Sequence, residues 1–267
     1  MSMPGGLIEV KVVDYAGTIV MNRPDHKNRL TRQMIEQLSI ALDDLYREKK
    51  VRAIILTGAG DVFCEGIDFN ELHETNNLAT GTKTAQQQWG DDAANIRDLF
   101  VKLLEITKPV IASVNGPALS AGAGLVAACD IVVAADNARF GIPDPQFGLV
   151  AGVVAPLVCH RIASGQAARL LLTGMSLEAS EAQQHGLFHE LLDSSKVWAR
   201  AMELAQTCAT GAPESIQLTK RLLNETVGEH LHTQLSAGAV MQATSCTTEA
   251  AREGVAAHLE QRPPQWK

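Results

Sequence analysis

Residues 110–135 read VIASVNGPALSAGAGLVAACDIVVAA, and this stretch decides the fold. Val110–Val114 is a short apolar run after Pro109 that ends in Asn115-Gly116-Pro117, the pattern of a buried strand closing in a turn. Ala118 to Ala128 is small and apolar throughout. Asp130–Ala135 is a second apolar run of strand length. Upstream, Ile96, Leu99, Phe100, Leu103 and Leu104 recur at helical spacing over Ala94 to Ile106. Helix, strand, small-residue stretch and strand in this order predict right-handed parallel crossovers.

Working outward, residues 7–13 (LIEVKVV) and 18–21 flank a turn at Tyr15-Ala16-Gly17 and predict a hairpin. Thr31 is placed to cap a helix running to about Lys49, with Ile35, Leu38, Leu42 and Leu45 along one face. Ala53–Leu56 reads as a buried strand leading into Thr57-Gly58-Ala59-Gly60. Leu72 to Gln88 is polar and predicts a loop or a frayed helix. After residue 165 the pattern is helical almost to the end, over 166–173, 178–184, 195–210, 213–227, 229–245 and 248–260. The fold class is α/β for about two-thirds of the chain, then helical. The expected division is a core of residues 1–200 and a helical part of residues 201–267.

Composition narrows the function. The 267 residues carry a net charge of −7, which argues against a nucleic-acid protein with its basic footprint. Aromatics are 4% of the chain, too few for a base-stacking platform. The helix over 31–49 mixes Glu36, Asp43, Asp44 and Glu48 with its bases, so it makes no basic comb. The longest apolar run, Phe147 to Cys159, is short of a membrane span and contains Pro156. MSMPGGLIEV lacks a basic region followed by an apolar one, so no signal peptide is expected. Cysteines 64, 129, 159, 208 and 246 are odd in number and form no CxxC pair, which predicts free thiols in a reducing cytoplasm. No His, Cys or Asp cluster has metal-ligand spacing.

Two segments place small residues after buried strands: Phe63-Cys64-Glu65-Gly66-Ile67-Asp68-Phe69, and Asn115 to Leu125. Small residues admit a ligand close to the backbone, and a helix start offers unpaired N–H groups. They equally permit close helix–sheet packing alone. The spacing fits neither the dinucleotide fingerprint nor the P-loop.

With Asn22-Arg23-Pro24, His26-Lys27-Asn28-Arg29-Leu30, Lys108 to Leu119, Ala128-Cys129-Asp130, Ala138-Arg139-Phe140-Gly141, Leu172-Thr173-Gly174 and Glu253 to Leu259, these segments resemble the enoyl-CoA hydratase/isomerase (crotonase) superfamily over nearly the whole length. The resemblance implies a crotonase fold of repeated ββα units with two stacked sheets and C-terminal helices that trimerise, as a homotrimer or dimer of trimers. It implies a thioester substrate on coenzyme A or an acyl carrier protein, with no cofactor beyond that carrier. Carried over by position, the N–H groups of Ile67 and Ala121 hold the thioester oxygen. Lys27, Asn28 and Leu30 fall where the family contacts coenzyme A, and Glu65, Gly66, Asp68, Leu119, Gly122, Gly124 and Pro143 border the substrate.

The chain departs from the family at its acids. Gly124 stands where a hydratase carries its first glutamate, and Asp144 stands where it carries the second, one methylene shorter. Pro145 is expected to hold Asp144 extended. A single carboxyl can move a proton between two carbons, which suits double-bond isomerisation, and the family also contains single-acid hydratases and dehydratases. A C–C bond hydrolase of the same superfamily, using an Asp–His pair, and a non-catalytic thioester binder are the alternatives. No His partner is evident from spacing. Glu65 is expected on the surface, Cys64 and Cys129 as packed thiols, and His160, His185 and His189 as structural or exposed.

Overall fold

The computed structural model describes residues 6–76, 84–227 and 230–266. Its strands are β1 (Ile8–Val13), β2 (Ala16–Met21), β3 (Ala53–Gly58), β4 (Val110–Val114), β5 (Ala118–Leu119), β6 (Ile131–Ala135), β7 (Arg139–Gly141), β8 (Ser176–Glu178) and β9 (Glu190–Leu192). Six form one sheet in the order β1-β2-β3-β4-β6-β9, and β5-β7-β8 form a second. The predicted hairpin pairs β1 with β2 antiparallel; β2 through β9 of the large sheet then run parallel.

The helices are α1 (Arg32–Arg47), α2 (Phe69–Asn76), α3 (Ala85–Glu105), α4 (Ala121–Ala128), α5 (Ala155–Arg161), α6 (Ser164–Thr173), α7 (Ala179–Gln184), α8 (Val197–Ala209), α9 (Pro213–Val227), α10 (Leu231–Ser245) and α11 (Glu249–Leu259). Thr31 caps α1 as expected, its hydroxyl accepting the Met34 N–H. A parallel sheet is covered on both faces, and β3 shows how. Ile54 and Leu56 join the main core, while Ala53 and Ile55 face Ala201, Met202 and Ala205 of α8. Helix α8 therefore belongs to the sheet's packing although it spans residue 200.

Five elements escape the sequence pattern. Helix α3 begins at Ala85, well before the expected start near Ala94, because Thr84 and Gln87 form a reciprocal capping box inside the polar stretch. The rest of the expected 72–88 loop is α2 on one side and residues 77–83, which lie outside the described residues, as do residues 1–5 of the N-terminal reading. Helix α5 begins within the apolar run 147–159, where periodicity cannot separate helix from strand. Strands β7, β8 and β9 are three residues each, too short to alternate visibly.

Helix α9 is tied to the core by a charge. Lys220 is buried; its Nζ donates to Leu103 O (3.1 Å), Lys108 O (3.3 Å) and Asp130 Oδ2 (2.7 Å), and Asp130 also accepts the Val110 N–H. Lys220→Ala leaves two carbonyls without this donor and the Asp130 carboxylate without its cation, and is expected to cost ~3 kcal/mol, read as a lower urea midpoint with the same slope. Among the described residues no helix is long and apolar enough to cross a membrane.

Candidate active site

The loop after β3 is fastened from both sides. Phe63 and Cys64 N–H donate to Pro117 O, and Leu119 N–H donates to Cys64 O, so the loop lies on β5. On its other edge Leu30 N–H donates to Gly66 O (2.7 Å) and Asp68 N–H donates to Leu30 O (2.9 Å). These two bonds skip the residue between them, and the Ile67 N–H has no acceptor among the described residues. Gly66 is at φ +98°, and a Cβ there would come within 2.7 Å of the Ser120 Cβ. The two small-residue segments therefore touch immediately before Ile67 and Ala121.

Ala121 is the first residue of α4, where an amide has no partner within the helix. Ser120 before it holds φ +51°, ψ −124°, and its N–H donates to Gly141 O. Two free amides on adjoining segments can together hold an oxygen that gains negative charge.

Asp144 reaches the same place from the other sheet. It is 8% exposed and opens a 3-10 turn over Asp144–Phe147. The expectation of an extended Asp144 is corrected: Pro145 sits in the first turn, where its missing N–H would have had no partner. The Ser120 hydroxyl donates to Asp144 Oδ1 at 2.9 Å, while Oδ2 is buried with no partner. Burial foremost pushes the Asp144 carboxyl up to about 6, against the Ser120 bond, which lowers it.

Gly124 lies in α4 with no room for an acid. A Cβ there would stand 2.5 Å from Phe100 Cζ and 3.1 Å from Val154 Cγ2. Apolar side chains occupy the direction a glutamate would take.

A cleft of about 340 Å3 opens beside these groups, lined in part by Lys27, Glu65, Ile67, Leu119, Ser120, Pro143 and His258. Of the residues singled out from sequence, Lys27, Glu65, Ile67, Leu119 and Pro143 line it; Asp144 joins it through the bond from Ser120, and Ala121 follows Ser120 in the chain. Asn28 does not reach it: its side chain is fully buried, accepts the Arg23 N–H, and donates to Ala59 O and Val62 O, holding a turn at φ +52°. Leu30 is buried and acts through its backbone. Asp68 pairs with Arg23 at 2.7 Å and caps α2 at Asn70. Burial works to raise the Asp68 carboxyl, but the bonds from Arg23 and Asn70 prevail and keep it below the usual range.

Glu65 corrects its expected exposure. Its carboxylate is half-buried between Lys27 (2.9 Å) and Arg29 (3.1 Å). Burial pushes the Cys64 and Cys129 thiols up to about 12, so both are inert packing groups. His189 accepts the Val132 N–H and is structural.

Two groups went unread in the sequence. Ser120 is one, and its position before α4 was the available signal. The other is His258, brought by α11 to stand edge-on to Phe69 (4.8 Å) and Phe147 (5.0 Å). Burial foremost lowers its pKa, which favours the neutral ring. Nothing local in the sequence links His258 to residues nearly two hundred positions earlier.

The sequence profile of the enoyl-CoA hydratase/isomerase family matches residues 15–267. The chain is 35% identical over 252 residues to a putative enoyl-CoA hydratase of Thermus thermophilus, covering 94% of this chain and 97% of that one. It is 32% identical to the 1,2-epoxyphenylacetyl-CoA isomerase of Escherichia coli, covering 93% and 94%. The crystal structure of carnitinyl-CoA hydratase from Mycobacterium avium superposes with a TM-score of 0.83 at 30% identity, covering 98% of each chain. The fold, the two touching segments and these matches together make this chain a member of the enoyl-CoA hydratase/isomerase family, within the crotonase superfamily.

Proposed function

We propose that the protein shifts the double bond of an enoyl thioester, using Asp144 as its one proton carrier. The observation that carries this reading is the buried Asp144 carboxyl with one free oxygen, together with Phe100 and Val154 filling the space at Gly124 where another acid would have to stand. Ionised Asp144 takes a proton from C2 of a 3-enoyl thioester. The electron pair moves into the carbonyl, and the dienolate oxygen rests on the N–H groups of Ile67 and Ala121. The protonated carboxyl then gives the proton to C4, leaving a C2=C3 bond. No atom is gained or lost, so no water need be activated and one acid suffices.

The coenzyme A or carrier arm would lie in the cleft past Lys27, Leu119 and Pro143. The trimer implied by the family resemblance finds an apolar surface in Leu218 and Leu222, one turn apart on α9 and both exposed.

The test offers purified protein a 3-enoyl-CoA and crotonyl-CoA side by side. The expected result is conversion of the first to the 2-enoyl product with little water addition to the second. Rapid hydration of crotonyl-CoA would replace this reading with that of a single-acid hydratase.

The rate of isomerisation is expected to rise with pH through about 6 as Asp144 ionises, then level off. Ser120→Ala removes a donor that favours the ionised form, so the rising limb moves up by about one pH unit. Ser120→Gly should shift the profile equally yet be the more stable of the two, since glycine accepts φ +51° without strain. A profile unmoved in both variants would show that the hydroxyl does not govern the carboxyl.

A further inference from the structure

Ser120 stands at the turn between β5 and α4, with its backbone at φ +51° and ψ −124°. A serine in the left-handed region carries strain that a glycine would not, and such strain gathers at functional sites. The backbone polar groups of Ser120 are spent inside the fold: the N–H donates to Gly141 O, and the C=O accepts the Gly124 N–H. What serine adds over glycine here is a hydroxyl.

That hydroxyl sits where acyl transfer needs one. Ser120 belongs to the wall of the main cleft and is half-buried. Its Oγ donates to Asp144 Oδ1 at 2.9 Å, so a base is within reach of its proton. A Cβ built on Gly66, between the cleft-lining Glu65 and Ile67, would stand 3.1 Å from the same Oγ. The hydroxyl therefore lies against the segment that offers the Ile67 N–H, and Ala121, the next residue in the chain, offers the other amide. In α/β-hydrolases the nucleophilic serine likewise sits on a strained strand-to-helix turn, and the following N–H and one from another loop hold the oxyanion. The base in those enzymes is an imidazole. Asp144, which burial foremost pushes up to about 6, titrates in the same range.

Resting on the thioester reading of this site but not on the double-bond shift, we propose that Ser120 is a nucleophile and that the protein hydrolyses acyl thioesters through an acyl-serine. Ser120 Oγ bonds to the thioester carbonyl carbon while its proton passes to Asp144 Oδ1. The oxyanion rests on the Ile67 and Ala121 amides. As the carbonyl re-forms, the carbon–sulfur bond breaks, and the departing thiolate takes the proton from Asp144. An ester is left on Ser120. Water then adds to the ester carbon and gives its proton to Asp144; the bond to Oγ breaks, and the proton returns to Oγ. The sum is thioester plus water giving carboxylic acid plus thiol.

The test uses butyryl-CoA, whose saturated chain has no double bond to shift. Free coenzyme A is followed by chromatography. A fluorophosphonate, which phosphonylates activated serines, is mapped in parallel by peptide mass spectrometry. The wild-type protein is expected to release coenzyme A at a rate proportional to protein concentration and to take up the phosphonyl group at Ser120, after which release stops. Ser120→Gly relieves the backbone strain and removes the hydroxyl, and should lose both signals. No release above the buffer rate, a phosphonyl group absent from Ser120, or undiminished release by Ser120→Gly would each overturn the proposal. Isomerisation of a 3-enoyl-CoA with no release of coenzyme A from butyryl-CoA sinks this proposal alone. Release through Ser120 with no isomerisation supports it and sinks only the double-bond shift.

Discussion

Asp144→Asn is expected to lower kcat for 3-enoyl-CoA isomerisation by about a thousandfold, within the range of losses when a positioned proton carrier is removed. Asparagine keeps the shape and still accepts from the Ser120 hydroxyl, so the loss would report proton transfer and not collapse of the site. The same variant should gain stability at pH 7. In the folded protein the Asp144 carboxyl sits at about 6, above its value in the unfolded chain. Its contribution is therefore fully present below about pH 4 and is lost as pH rises through 6, a loss of about 2–3 kcal/mol. The neutral asparagine side chain escapes that loss, so the variant's urea midpoint should exceed the wild type's at pH 7 and approach it at pH 4. Loss of activity with gain of stability marks a group kept for chemistry. A variant retaining more than a tenth of the wild-type rate would remove Asp144 from the mechanism.

Gly122→Ala is expected to cost about a hundredfold or more in kcat together with a fall in Tm. A Cβ at Gly122 would stand 2.1 Å from Cys64 O and 2.8 Å from its carbonyl carbon. Both are backbone, so neither can rotate away, and the loop and α4 must part. That separation moves the Ile67 and Ala121 amides relative to each other, and loss of one such donor is worth about 10²–10³ in rate. Overpacking adds about 1–3 kcal/mol of destabilisation. Gly90→Ala, on α3 with open space around the new methyl, is the control. It should gain up to about 1 kcal/mol from helix propensity and leave the rate alone. Unchanged turnover in Gly122→Ala would mean that the spacing of the two segments does not matter to catalysis.

Much of the frame was legible because it rests on local physics. β3, β4 and β6 are continuous apolar runs since both faces of a parallel sheet are covered, and α1 announces itself by a capping threonine and one apolar face. The small residues at 118–128 already implied that backbone must come close to something. Asn28 and Glu65 read differently in space because their partners are distant: Asn28 is spent on the carbonyls of Ala59 and Val62, and Glu65 on Lys27 and Arg29. A charge pattern along the chain cannot show which side chains bury one another.

The sequence by itself determined the α/β core and the two strand-end segments of small residues. These follow from period, size and residue type, which are properties of neighbours in the chain. Only the tertiary structure decided that Phe100 and Val154 fill the space beside Gly124 and that Ser120 donates to Asp144. Each of those depends on groups from separate helices and strands meeting within a few ångströms, and packing alone selects which ones meet.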